Sequence, residues 1–143
     1  MADASSAPVV YWDASAILSI LFTDKHSQIA KRWADREGFH LISTLAYAET
    51  CAVIARMKRE NLLSDLLIQA AWDVLQDGPW RHLNALPERG MMHDLSSKWP
   101  LRGADLWHLA TAKGLQGQLP ELSLLTFDHR LLKAAEGEGL SIG

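Results

Sequence analysis

Four acidic residues stand where an acid calls for an explanation. Asp13 directly follows the apolar run Val9-Val10-Tyr11-Trp12, and Asp128 follows Leu124-Leu125-Thr126-Phe127. Asp105 opens a helical stretch, and Glu49 falls among the apolar positions of another. Taken singly, Asp13 and Asp128 could be helix N-caps and Asp105 a first-turn acid favoured by the helix dipole. Glu49 resists that treatment, because an unpaired carboxylate on a buried stripe is expensive. Gathered in one pocket, the four would raise one another's pKa or destabilise the fold unless a positive charge neutralised them. A divalent cation does this. Magnesium or manganese prefers hard oxygen ligands, keeps several waters and leaves positions for phosphate oxygens. Such a pocket suits hydrolysis of a phosphodiester, since it can both activate water and stabilise the leaving oxygen.

The histidines offer a competing metal site through His93, His108 and His129, all near the acids. Their spacing argues against it, because none pairs with another His at i, i+4. With Leu109 and Ala112 assigned to the core, His108 is expected to point away from the cleft. Trp12 and Trp107 lie close enough in sequence to the acids to stack a nucleobase, although the six tryptophans mostly suit core and interface positions. Arg102, Arg130, Lys25 and Lys113 flank the acidic segments and are candidates for phosphate contact, Arg102 and Arg130 foremost. Their alternative is solvated surface charge.

The elements that must position these residues follow from periodicity. Val9 to Trp12 predicts a strand that feeds a helix at Asp13-Ala14-Ser15-Ala16, continuing through Ile17 to Leu21. A helix is expected over about His26 to Arg36, with Ile29 and Trp33 on its buried face, and a short strand near His40 to Ile42. Thr44 should cap a long helix running to about Glu60. Its apolar stripe is predicted through Leu45, Ala48, Ala52 and Val53, with Glu49 inside it. A further helix spans about Ser64 to Gln76, Gly78-Pro79 breaks it, and Trp80 to Leu83 reads as a strand. Pro87 starts a helix that ends before Pro100. Then come a helix from Asp105 to about Lys113, the strand Leu122 to Thr126, a helix from Asp128 to Glu136 and an edge strand over Leu140 to Ile142. Strands separated by helices imply crossovers and a parallel sheet covered on both faces. In such a sheet the ligand crevice lies beyond the carboxyl ends of the strands, where Asp13 and Asp128 both fall.

Bulk composition is permissive. At 143 residues, 48% hydrophobic and 22% charged, residues 9–143 suit a single globular domain behind a small polar leader, residues 1–8. The lone Cys51 neither staples the fold nor forms a thiolate zinc site. The apolar run from Val9 to Phe22 lacks a basic leader, contains Asp13 and is too short to span a bilayer, so a cytoplasmic protein without a membrane anchor is expected. The formal net charge of −3 would speak against a polyanionic partner, but setting the four acids aside turns it into +1.

Four segments in order carry a family resemblance: Val10-Tyr11-Trp12-Asp13-Ala14-Ser15-Ala16, Ala48-Glu49-Thr50, the run from Leu101 to Ala112 through Arg102-Gly103-Ala104-Asp105, and Leu125-Thr126-Phe127-Asp128. Together they resemble the PIN-domain signature, most closely its VapC-type toxin branch, and the likeness extends from residue 9 to Gly139-Leu140. The resemblance implies a three-layer α/β/α sandwich around a central parallel sheet. It also implies a magnesium-dependent endoribonuclease, with manganese as a substitute, whose substrate is RNA and whose partner is a cognate antitoxin. On this likeness Asp13, Glu49, Asp105 and Asp128 are the catalytic and metal-binding acids, with Asp13 and Asp105 the central ligands. Asp128 would reach the ion directly or through water, and Glu49 would position water or a second ion. Ser15 and Thr126 match the hydroxyl positions beside the first and last acids, where plain capping is the alternative.

Other readings remain open at this point. A PIN nuclease of RNA processing or DNA metabolism would show the same acids, because the pocket reads a phosphodiester and not the 2'-hydroxyl. A phospho-acceptor signalling domain would want adjacent acids after its first strand, and this chain has Asp13-Ala14. A non-catalytic interaction module would not need the four acids. Trp33 and Trp72, on helical surfaces, are compatible with a homodimer.

Overall fold

The computed structural model describes residues 7–141. Its elements run in the order β1 (Val9–Trp12), α1 (Ala14–Leu21), α2 (Ser27–Ala34), β2 (Phe39–Ser43), α3 (Thr44–Arg59), α4 (Asp65–Asp77), β3 (Trp80–Leu83), α5 (Arg89–Lys98), α6 (Gly103–Gln116), β4 (Leu122–Leu125) and α7 (His129–Gly137). The four strands form one parallel sheet in the order β3-β2-β1-β4. All four residues of β1 are buried, as a strand paired on both sides and covered on both faces must be.

Alternation along β1 divides the interior in two. Val9 and Tyr11 join a core with Leu95 of α5, Leu109 of α6 and Leu131 of α7. Val10 and Trp12 point the other way, into a core with Ile17 of α1, Ala30 of α2, Ile54 of α3 and Leu75 of α4. Helices α1 to α4 therefore cover one face of the sheet and α5 to α7 the other, giving the three-layer α/β/α sandwich. The chain steps outward from β1 to β2 to β3 and then returns to the far side of β1 as β4. The crossovers part above the carboxyl ends of β1 and β4, which creates the crevice.

Several local expectations are corrected. Ser43, not Thr44, caps α3: its backbone is extended and its Oγ accepts the Ala46 N–H at 3.0 Å. The buried stripe of α3 runs through Ala46, Thr50 and Ile54, while the expected stripe positions Ala48 and Ala52 are exposed and Leu45 and Val53 half-buried. Thr50 enters the core because its hydroxyl donates to the Ala46 carbonyl at 2.8 Å, leaving its methyl as the outward surface. In α2 the buried positions are Ser27 and Ala30, and Ile29 is exposed. Helix α5 starts at Arg89 behind an extended Glu88, two residues beyond Pro87. Helix α6 starts at Gly103, before Asp105, and runs past Lys113 to Gln116.

At the carboxyl end, Leu124 makes an isolated parallel bridge with Ser141 in place of a full edge strand, and Ile142 lies outside the described residues. Of the expected leader, residues 1–6 lie outside them too, while the Pro8 carbonyl accepts the Phe39 N–H at 2.9 Å. No described helix is long and apolar enough to cross a membrane.

Candidate active site

Asp13 is the first residue past β1, where its backbone N–H still donates to the Leu125 carbonyl of β4 at 3.2 Å. It caps α1, as its position predicts: Oδ1 accepts the Ala16 N–H at 2.9 Å. The same oxygen also accepts the Ser15 hydroxyl at 2.7 Å, and Oδ2 accepts the Thr126 hydroxyl. The side chain is almost wholly buried, at 4% exposure. Burial pushes its carboxyl above the ordinary range, and the donors from Thr126, Ala16 and Ser15 work against that push. Oδ1 has filled both lone pairs, whereas Oδ2 keeps one for a further ligand.

The last acid is built into the same lattice. Ser15 Oγ accepts the Phe127 N–H at 3.0 Å, Thr126 Oγ1 accepts the Asp128 N–H at 3.1 Å, and Asp128 Oδ1 caps α7 through the Leu131 N–H at 3.0 Å. Ser15 and Thr126 thus stitch the segment after β1 to the segment after β4. Asp13 and Asp128 are fixed relative to each other, and Asp128 is exposed to the crevice. His26 stacks on Phe127 with 4.4 Å between ring centroids, tying the connection between α1 and α2 to this edge.

Asp105 lies in the first turn of α6 and Glu49 in the second turn of α3. Burial is the largest influence raising the Asp105 pKa. The charges of Asp128, Asp13 and Glu49 raise it further. The four acids therefore share one electrostatic neighbourhood although they come from four separate segments of the chain.

His108 is not turned away from the cleft. It is buried, and its Nε2 meets Glu49 Oε1 at 2.7 Å while its Nδ1 meets the Tyr11 hydroxyl at 2.7 Å. The core and cleft sides of α6 are not opposites, since His108 is buried together with Leu109 and Ala112. His108 follows Asp105 by three residues, which puts both on one side of the helix. That spacing was the available signal. Tyr11, at the other end of the pair, carried no signal beyond being part of a strand.

The crevice continues into a cavity of about 340 Å³ lined by Arg102, Asp105, Asp128, His129 and Arg130. Both expected arginines thus border two of the acids. Lys113 is elsewhere: its Nζ donates to the Glu138 carbonyl at 2.6 Å, eight residues along α6 from Asp105. Lys25 is exposed in the connection before α2. Trp12 is fully buried and gives its indole N–H to His40, so it cannot stack a base, while Trp107 is half-buried with its ring edge-on to His108.

Among the described residues no three His, Cys, Asp or Glu side chains stand close enough to hold an ion unaided. The donor chemistry nonetheless fits a magnesium-like cation. All four groups are hard oxygen donors, and their mutual repulsion acts on Asp105. Magnesium characteristically takes one or two carboxylates and completes its shell with water and phosphate oxygens, so a closed protein cage is not required.

A family model described as PIN domain matches residues 10–137. The chain is similar to two Mycobacterium tuberculosis proteins, ribonuclease VapC45 of strain CDC 1551 / Oshkosh and ribonuclease VapC49 of strain ATCC 25618 / H37Rv. Each is 33% identical over 140 residues, covering 94% of this chain and 94% of its own length. Its fold is similar to the crystal structure of M. tuberculosis VapC20, a sarcin-ricin loop cleaving toxin, with TM-score 0.57 and 15% identity over 87% of this chain and 94% of that one. It is also similar to PAE2754 from Pyrobaculum aerophilum, with TM-score 0.63 and 19% identity over 97% and 90% of the two chains. With a matching sheet, four acids gathered at its switch point and sequence likeness along nearly its whole length, the chain belongs to the PIN-domain family, in its VapC branch.

Proposed function

We propose that this protein is a magnesium-dependent endoribonuclease, the toxin of a toxin-antitoxin pair, acting in the cytoplasm through a single domain spanning residues 9–143. The observation that carries the reading is the convergence of Asp13, Glu49, Asp105 and Asp128 beside a cavity that also holds Arg102 and Arg130. The ribonuclease names of the relatives that match along the whole chain support it.

Asp13 and Asp105 would be the direct ligands of the ion, with manganese as a substitute, while Asp128 would reach it through water and Glu49 would position a water or a second ion. When bound, that ion supplies an activated water and positive charge for the leaving oxygen. The chain's own residues supply placement. Ser15 and Thr126 lock the Asp13 rotamer, so its free Oδ2 lone pair has one direction. Arg102 and Arg130 draw the flanking phosphates into the cavity and offset the acidic centre. A cognate antitoxin would silence the site by inserting a cationic side chain, Arg by preference. A guanidinium satisfies paired carboxylates without offering a nucleophile.

A circular single-stranded RNA tests the reading. It should be linearised in magnesium, which only an internal cut can do, while circular DNA of the same sequence stays intact. Equal cutting of the DNA would replace the toxin reading with a nuclease of broader phosphodiester range.

A further inference from the structure

Two buried histidines in this fold are used differently. His40 lies in β2, where its Nδ1 accepts the Trp12 indole N–H at 3.1 Å and its Nε2 pairs with the Arg36 carbonyl at 2.9 Å. Both partners are structural, and the ring's role ends there. His108, at 1% exposure, pairs its Nε2 with an acid of the cleft, Glu49, and roots its Nδ1 on Tyr11 in the middle of β1.

The hydrogen-bond roles can be assigned. An ionised carboxylate only accepts, so Nε2 carries a proton and donates to Glu49 Oε1. Burial pushes the Tyr11 phenol well above its ordinary pKa, so its hydroxyl keeps a proton to give to Nδ1. No buried side-chain polar atom among the described residues is left without a partner. The line from Tyr11 to His108 to Glu49 crosses from β1, which leads directly into Asp13, to α6 and α3, which bear Asp105 and Glu49. Glu49 itself is a flexible side chain with 32% exposure, and nothing about its own helix would select one rotamer.

We propose that His108, anchored by Tyr11, is a positioning residue that fixes Glu49 Oε1 and so holds the Glu49 carboxylate in place for the cation-dependent reaction. A donor placed on the far side of a ligating carboxylate orients it, and loss of such a partner characteristically costs ten- to a hundredfold in metal affinity or activity. The inference rests on the nuclease reading for its catalytic consequence, but not for its effect on ion binding.

Three substitutions separate positioning from packing. His108→Asn puts an amide near the Nδ1 position and leaves Glu49 without its donor, whereas His108→Gln reaches the Nε2 position and can restore it. Tyr11→Phe removes only the anchoring hydroxyl. In folded His108→Asn, shown by circular dichroism, kcat should fall roughly tenfold or more and calorimetric Mn²⁺ affinity should weaken comparably, with KM for RNA unchanged. His108→Gln should recover most of both. His108→Asn combined with Glu49→Gln should lose no more than Glu49→Gln alone, since both changes act through one carboxylate. Wild-type kcat and Mn²⁺ affinity in folded His108→Asn would overturn the proposal, as would fully additive losses in the double variant or no recovery with Gln. If His108→Asn does not fold, Tyr11→Phe decides: weakened Mn²⁺ binding supports the relay and unchanged binding overturns it. A wild type that binds Mn²⁺ yet cuts no RNA would end the nuclease reading and leave the relay to the binding isotherms.

Discussion

Asp13 and Asp105 differ in what neutralises them. Burial raises both carboxyls, but Asp13 is compensated by bonds from Thr126, Ala16 and Ser15, whereas Asp105 is raised further by Asp128, Asp13 and Glu49. The folded protein therefore holds the Asp105 proton more tightly than the unfolded chain does, and ionising it costs stability. That cost is absent below the ordinary carboxylate pKa of about 3.9. It grows as pH rises toward the raised value and is complete above it. In metal-free buffer at neutral pH, Asp105→Asn should melt roughly a few degrees above wild type and show less loss of stability between acid and neutral pH. Asp13→Asn should gain nothing, because an amide nitrogen would replace one of three engaged acceptor positions. A lower melting temperature for Asp105→Asn would mean that its favourable position in the first turn of α6 outweighs the repulsion. At this scale the acids at the strand ends were legible in the sequence, because an acid after an apolar run marks both a strand terminus and a crevice. The His108 pairing was not, since its partners lie 97 and 59 residues away and no local pattern encodes them.

Elements were predicted best where a breaker or a full apolar run defined them, as at Val9–Trp12 and at Gly78-Pro79. They were predicted worst where a polar residue is buried. The face of α3 was misread because Thr50 counts as polar in a periodicity and as a methyl in the core once its hydroxyl bonds back to Ala46. Glu49 therefore lies beside the buried stripe of α3 and not within it, and what marks it is its pairing with His108. Helix α7 carries a requirement that no periodicity shows. A Cβ on Gly137 would overlap the Trp99 ring, and that ring is held by its indole bond to Glu138 at 2.9 Å. Glu138 is itself flanked by Lys98 at 3.8 Å and Lys113 at 3.7 Å. Gly137→Ala should therefore destabilise the fold by about 1–3 kcal/mol through overpacking. The gain of about 1 kcal/mol in helix propensity should not rescue it. Thermal or urea unfolding measures this, and an unchanged or higher stability would show that Trp99 can yield.

For the molecule as a whole, the net charge of −3 is compatible with the proposed RNA substrate, because Arg102 and Arg130 line the same cavity as Asp105 and Asp128. Under the proposed function, catalysis and inhibition by an antitoxin would compete for one pocket. Magnesium should weaken antitoxin binding measurably, and Asp13→Asn should weaken it as well, in titration calorimetry with purified antitoxin. Affinity indifferent to both would place inhibition on a surface remote from the acids. The central claim, that these four carboxylates form an ion-dependent site for cutting RNA, is tested most directly by the cleavage rate of one RNA as magnesium is titrated into chelator-stripped protein. The rate should rise from zero and saturate for wild type, and remain lower by about a hundredfold or more for Asp105→Asn at every magnesium concentration. Undiminished cleavage by the stripped wild type, or a wild-type titration curve from Asp105→Asn, would contradict it.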